Sequence, residues 1–266
     1  MDRSILVRLF GFGATLIYGD TLILDRWMWL RRRLPVTANG ETLIDIGCGT
    51  GAFSIGAAKR GYQALGLSWD ESNQTEAGNR AGLCRARASF EVCDVRQLHL
   101  FEDYRGRFDV ALCLENIEHI LDDRKLIIDI AGCLKPGGRL LLTTPNYYYR
   151  AISQQDNGPF EKVETGGHVR RGYTPVMLRE LCDAAGLFCD EITYCSGFFS
   201  QKTTGALRWG IRAHFLIGWL MILPLRPLAV ILDLMTQRFS SFPCFSICMV
   251  AQKPRFPSDD ERVLRA

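Results

Sequence analysis

The stretch Leu43-Ile44-Asp45-Ile46-Gly47-Cys48-Gly49-Thr50-Gly51 constrains the fold more than any other part of the chain. A β-branched apolar run that gives way to glycine at every second position predicts a buried strand, a tight turn and a helix opening at Ala52. Glycine lets the backbone take positive φ and lets a ligand approach closer than a Cβ would permit. The helix start offers unpaired amides to that ligand. Gly47, Gly49 and Ala52 also satisfy a dinucleotide fingerprint, so the glycines alone leave the ligand open. Asp45, just before the first glycine, is placed to meet a cationic amine rather than a pyrophosphate.

The segments that follow alternate between helix and strand. A helix over 52–60 leads to a strand over 63–67 ending at Ser68-Trp69, and a helix over 76–87 to a strand over 89–93 ending at Asp94-Val95-Arg96. A strand over 108–114 runs into Glu115-Asn116-Ile117-Glu118-His119, and a helix over 126–134 into Lys135-Pro136-Gly137-Gly138 and a strand over 139–143. Thr174 with Pro175 predicts the start of a helix over 174–185, followed by strands over 187–194 and 245–252. Four strand ends then fall on one side of a doubly wound sheet, the edge where such folds bind ligands.

This order of pieces, from about 42 to 187, resembles the class I S-adenosylmethionine-dependent methyltransferases, in particular the small-molecule branch that includes the ubiquinone-pathway O-methyltransferases. The resemblance implies a seven-stranded Rossmann-like α/β sheet whose last strand runs antiparallel between the fifth and sixth. It implies S-adenosylmethionine as cofactor, held by Asp45, Gly47, Gly49, Gly51, Ser68, Trp69, Asp94, Val95 and Glu115. The family's ribose-binding acid is replaced by Ser68, whose hydroxyl would hold one ribose oxygen while Asp70 reaches the other. Trp69 is read either as a platform for adenine or as a core residue. Asp94 would accept from the adenine amine.

Methyl transfer from a sulfonium needs an aligned nucleophile, and a hydroxyl acceptor benefits from a base. Glu118, His119 and His168 are the candidate catalytic residues, with His119 as base or orienter. Glu115, Glu118 and His119 share one face if a helix begins at once, and with His168 they form an alternative set for a divalent metal. Metal-free relatives carry Glu-His here too, so the metal-free reading is preferred. Tyr147-Tyr148-Tyr149 and the loop to Gly167 would form a lid over a flat or lipophilic acceptor, or pack against neighbouring helices.

The expected organisation is N-terminal helices over 1–35, a methyltransferase core over 36–195, an apolar helical insertion over 196–243 and a last strand with tail over 244–266. Residues 1–18 carry an apolar stretch without a cleavage site and predict a partner- or membrane-facing helix rather than a signal peptide. Residues 21–34 predict a helix with Arg31, Arg32 and Arg33 at its negative end. In the insertion, Arg226 and two prolines divide the apolar run 215–232, which argues against a membrane span. A helical hairpin is expected, capping the pocket, packing in a homodimer or lying on a bilayer with Arg208, Arg212, Arg226 and Arg238 near phosphates. Ten cysteines without a Cys-x-x-Cys pair read as buried thiols of a cytoplasmic protein. A net charge of +3 gives no reason to expect nucleic acid.

The leading function is therefore O-methylation of an amphipathic small molecule, such as a quinone precursor, a lipid-linked sugar or a natural product. Transfer to carbon, including cyclopropane chemistry, RNA 2′-O-methylation and a noncatalytic membrane-associated cofactor-binding subunit are the rivals. A dehydrogenase is disfavoured because Ser68 replaces the acid that holds the ribose of a nicotinamide cofactor.

Overall fold

The computed structural model describes residues 4–17, 22–236 and 239–255. Seven strands form one sheet: β1 (Thr42–Ile46), β2 (Gln63–Ser68), β3 (Ala88–Val92), β4 (Phe108–Leu114), β5 (Leu134–Pro145), β6 (Phe188–Cys195) and β7 (Ser246–Gln252). Their order is β3-β2-β1-β4-β5-β7-β6. β1 to β5 are parallel, and β7 lies antiparallel between β5 and β6, as expected. The central strands are mostly apolar because both faces are covered. On one face α6 (Asp123–Cys133) and α7 (Pro175–Ala184) bury Leu126, Ile127, Ile130 and Leu178. On the other, α3 (Leu22–Arg31) and α4 (Ala52–Ala58) bury Trp27, Leu30 and Ala57.

Two element bounds differ from expectation for identifiable reasons, and a third agrees. α5 (Glu71–Cys84) begins at 71 rather than 76 because Asp70 caps it, accepting from the Asn73 amide at 3.0 Å. Asp70 Oδ1 is therefore engaged in a helix cap. Residues 135–138 lie within β5 as a register shift: Phe108 pairs with Leu134, and Val110 with Arg139. α7 begins at Pro175 under a Thr174 cap, as its sequence predicted.

The N-terminal segment forms α1 (Ser4–Phe10) and α2 (Phe12–Ile17); Tyr18 and Thr21 lie outside the described residues. α3 is fastened across β6 by Trp29 Nε1 donating to Thr193 Oγ1 at 2.9 Å and by the Arg33–Glu191 ion pair. Between β6 and β7 the chain forms three helices rather than a hairpin: α8 (Phe198–Ala213), α9 (Phe215–Ile222) and α10 (Leu225–Thr236). Among the described residues no helix is long and apolar enough to cross a membrane. All ten cysteines are free thiols, nine of them buried.

Candidate active site

A cavity of about 560 Å³ opens where β1, β2, β3 and β4 end. Gly47, Gly49, Ser68, Trp69, Asp94, Val95, Glu115 and His119 line it, so the structure brings together residues separated by more than seventy positions. Gly47 and Gly49 both have positive φ, for different reasons. A Cβ on Gly47 would sit 2.4 Å from the Asn116 side chain, whereas one on Gly49 meets nothing within 4 Å and would project into open space. The first glycine lets the turn pack; the second leaves room beside the turn.

Two residues expected at the ligand are not on the cavity wall. Asp45 is buried, and its carboxylate accepts from Ser54 Oγ at 2.6 Å; burial pushes its pKa up to about 6. It braces the turn against α4 instead of meeting an amine. Gly51 caps α4 and faces the Phe90 ring.

At the rim, Trp69 is 69% exposed, which excludes the core reading. Ser68 Oγ accepts from the Asp70 amide at 3.3 Å. Asp94 is gripped by Arg96, with Nε 2.8 Å from Oδ1 and a terminal nitrogen 2.6 Å from Oδ2. This contact holds the Asp94 carboxyl below the usual carboxylate range. The same guanidinium reaches Glu164 at 2.6 Å, and Glu164 accepts from the Leu121 amide. Arg96 thus latches the end of β3 to the loop that contributes Glu164, Thr165 and Gly166 to the cavity. Asn73 and Asn116 also line the cavity. Neither carries a site signal in the sequence, and the Arg96–Glu164 latch joins distant residues that leave no local pattern.

Glu115 does not share a helix face with Glu118 and His119. Its φ is +51°, and only Ile117–His119 form a short 3-10 turn. The Glu115 carboxylate turns to Arg26 of α3 at 2.8 Å and accepts from Ser246 Oγ at 3.2 Å. The four-residue metal set therefore does not assemble; Glu118, His119 and His168 remain, with ligand atoms all within 4.8 Å of one another.

His119 Nδ1 lies 3.0 Å from the Gly167 carbonyl, which makes Nδ1 a donor; in the neutral ring Nε2 is then the acceptor. That Nε2 is 4.0 Å from Glu118 Oε1. Glu118 is fully buried; its Oε2 accepts from Thr144 Oγ1 at 3.0 Å while Oε1 has no hydrogen-bond partner. Burial, reinforced by Glu115, pushes the Glu118 carboxyl well above its ordinary range. His168 meets His119 edge to face at 4.7 Å, and burial together with His119 pushes its pKa down to about 4. The two imidazoles are brought together by backbone bonds from Val169 N to the Glu118 carbonyl and from Glu161 N to the His168 carbonyl, each 2.9 Å. In the preceding tyrosine run, Tyr147 and Tyr148 are exposed but Tyr149 is buried against Phe245, so it is a packing residue.

A model of a methyltransferase domain matches residues 25–192, more than half of the chain. The chain belongs to the class I S-adenosylmethionine-dependent methyltransferases. It is 33% identical over 162 residues to the ubiquinone biosynthesis O-methyltransferase of Coxiella burnetii, covering 59% of this chain and 68% of that protein. Among solved structures it resembles the [4+2]-cyclase SpnF, with a TM-score of 0.58, 20% identity and 94% of both chains covered. It also resembles geranyl diphosphate C-methyltransferase from Streptomyces coelicolor A3(2), with a TM-score of 0.57, 16% identity and coverage of 86% and 79%. At such identities the structural likeness shows the fold. The enzyme's cofactor is S-adenosylmethionine, and the exposed indole, the open turn at Gly49 and the strand-end carboxylates are residue types suited to it.

Proposed function

We propose that this methyltransferase methylates a hydroxyl oxygen of an amphipathic small molecule. The observation that carries this reading is the His119 Nε2 lone pair on the cavity wall, held in one tautomer by Gly167. Bound S-adenosylmethionine supplies a sulfonium-linked methyl group. In this reading the glycine turn and Trp69 hold the adenosyl and amino-acid parts at the strand ends. His119 would take the acceptor's proton at Nε2, and the bound cofactor would supply the methyl group to the acceptor oxygen. Burial favours the neutral carboxyl of Glu118, whose unpartnered Oε1 lies 4.0 Å from Nε2, so Glu118 helps to position the ring and does not carry a counter-charge. His168, held neutral by burial, packs against that ring and keeps a second cation away. The name of the 33% identical relative supports oxygen as acceptor.

The test is label transfer from methyl-labelled cofactor to polyprenylated catechols, read in the organic extract. His119→Asn is expected to lower the rate about 10²–10⁴-fold with unchanged binding of S-adenosylhomocysteine. Label on carbon, or an unaffected His119 variant, would contradict the proposal.

A second reading rests on the same unpartnered oxygen. Glu118, His119 and His168 are a donor set suited to a divalent cation, which would orient and acidify the hydroxyl. Chelator treatment that abolishes turnover, with rescue by added magnesium or manganese, would favour it over the metal-free base.

A further inference from the structure

α10 is inside out. Its buried side consists of Arg226, Ala229, Val230 and Asp233, while Leu228, Ile231, Leu234 and Met235 face outward. The end of α9 continues the surface with Leu220 and Met221, 71% and 62% exposed. From 218 to 236 no charged side chain is exposed, because both charged residues of that run are turned inward. The inward charges have definite tasks. Asp233 accepts from the Phe199 and Ser200 amides at 2.8 and 2.9 Å, capping α8, and Arg226 lies over the Trp219 ring and reaches the Leu16 carbonyl. Arg226 is therefore a packing residue and not a phosphate ligand. The helix orientation is fixed by these contacts, so the apolar side is held outward rather than left there by loose packing.

The insertion that carries this surface is rich in one sign of charge. The insertion 196–243 holds Lys202, Arg208, Arg212, Arg226 and Arg238 against a single acid, the inward Asp233. Lys202 and Arg212 are exposed, Arg208 pairs with Asp156, and Arg238 lies outside the described residues. At the end of α3, Arg31 and Arg32 are exposed, and Arg32 shares a cavity wall with Val230 and Leu234. An apolar ridge with a basic rim is complementary to a bilayer interface with anionic headgroups. A symmetric contact between two copies would instead bring like charges together around the ridge.

We infer that the α9–α10 ridge is a membrane-contact surface that seats in the interface of an anionic phospholipid bilayer, with Arg31, Arg32 and Arg212 at the headgroups. The helices lie in the interface and do not span it. This inference is independent of which acceptor is methylated.

Co-sedimentation of the full chain with phosphatidylcholine vesicles containing phosphatidylglycerol tests it, against pure phosphatidylcholine vesicles. The wild type is expected to bind the anionic vesicles in a salt-sensitive way. Ile231→Glu/Met235→Glu should lower partitioning about tenfold or more, and Arg31→Glu/Arg32→Glu should weaken binding to anionic vesicles only. Unchanged affinity for S-adenosylhomocysteine certifies that the variants are folded. The proposal is overturned if the wild type stays in the supernatant, or if the ridge variant sediments as the wild type does. It is also overturned if the ridge pair converts a dimer to a monomer without altering vesicle binding, since the occupant is then a second copy.

Discussion

α6 and α10 are of similar length and opposite construction. α6 buries Leu126, Ile127, Ile130 and Ala131 against the sheet and leaves Arg124 to water. α10 buries an arginine and an aspartate and turns its leucines, isoleucine and methionine outward. In α6 apolar burial holds the helix in place. In α10 polar contacts hold the helix, and the apolar side is available for something other than water. The same residue types thus serve folding in one region and contact in the other.

Leu142→Ala, in the centre of β5 and fully buried, should produce the largest effect on this contrast, with a loss of about 2–5 kcal/mol in denaturant unfolding. Asp233→Ala should cost about 0.5–2 kcal/mol, because it uncaps α8 and leaves two amides unpaired. Ile231→Lys should change stability by no more than about 0.5 kcal/mol, as an exposed substitution does. If Ile231→Lys were as damaging as Leu142→Ala, the ridge would be core, and the contrast would fail.

The buried charge of α3 gives the contrast a pH dependence. Burial raises Asp25 to about 7, with Ser200 Oγ donating to it at 2.9 Å. The folded state therefore binds more protons than the unfolded chain between about pH 4 and 7, and the Asp25 contribution to stability falls as pH rises through that window. Asp25→Asn keeps the acceptor for Ser200 and removes the ionisation. It should be more stable than the wild type at pH 8, with the difference shrinking as pH falls toward 4 in thermal unfolding. His168 works in the opposite sense: its folded value of about 4 lies below the ordinary 6.5, so its contribution is present above pH 6.5 and is lost as pH falls toward 4. The difference between wild type and Asp25→Asn separates the two, because His168 is common to both.

The sheet and its glycine turn were legible in the sequence because the central strands β1, β2 and β4 are mostly apolar runs closed by distinct turns, and Thr174-Pro175 marks a helix start by local chemistry alone. α8 was not legible. Apart from Leu207, its buried side is Ser200, Gln201, Thr204 and Gly210, small or polar groups that produce a weak apolar periodicity. Glu115 lines the cavity as expected, but its shared face with Glu118 and His119 depends on a helix that a residue at positive φ delays. The Arg96–Glu164 latch joins residues distant in sequence, as does the Arg26–Glu115 pair, and neither leaves a local pattern.

The most direct measurement is calorimetric titration of S-adenosylhomocysteine into the wild type, Gly49→Asn and Ile231→Glu/Met235→Glu. Asparagine tolerates positive φ, and a side chain at position 49 enters open space beside the turn. The account predicts saturable binding by the wild type and the ridge variant, and loss of binding in the folded Gly49→Asn protein. Failure of the wild type to bind, or undiminished binding by Gly49→Asn, would contradict the placement of the cofactor in this cavity.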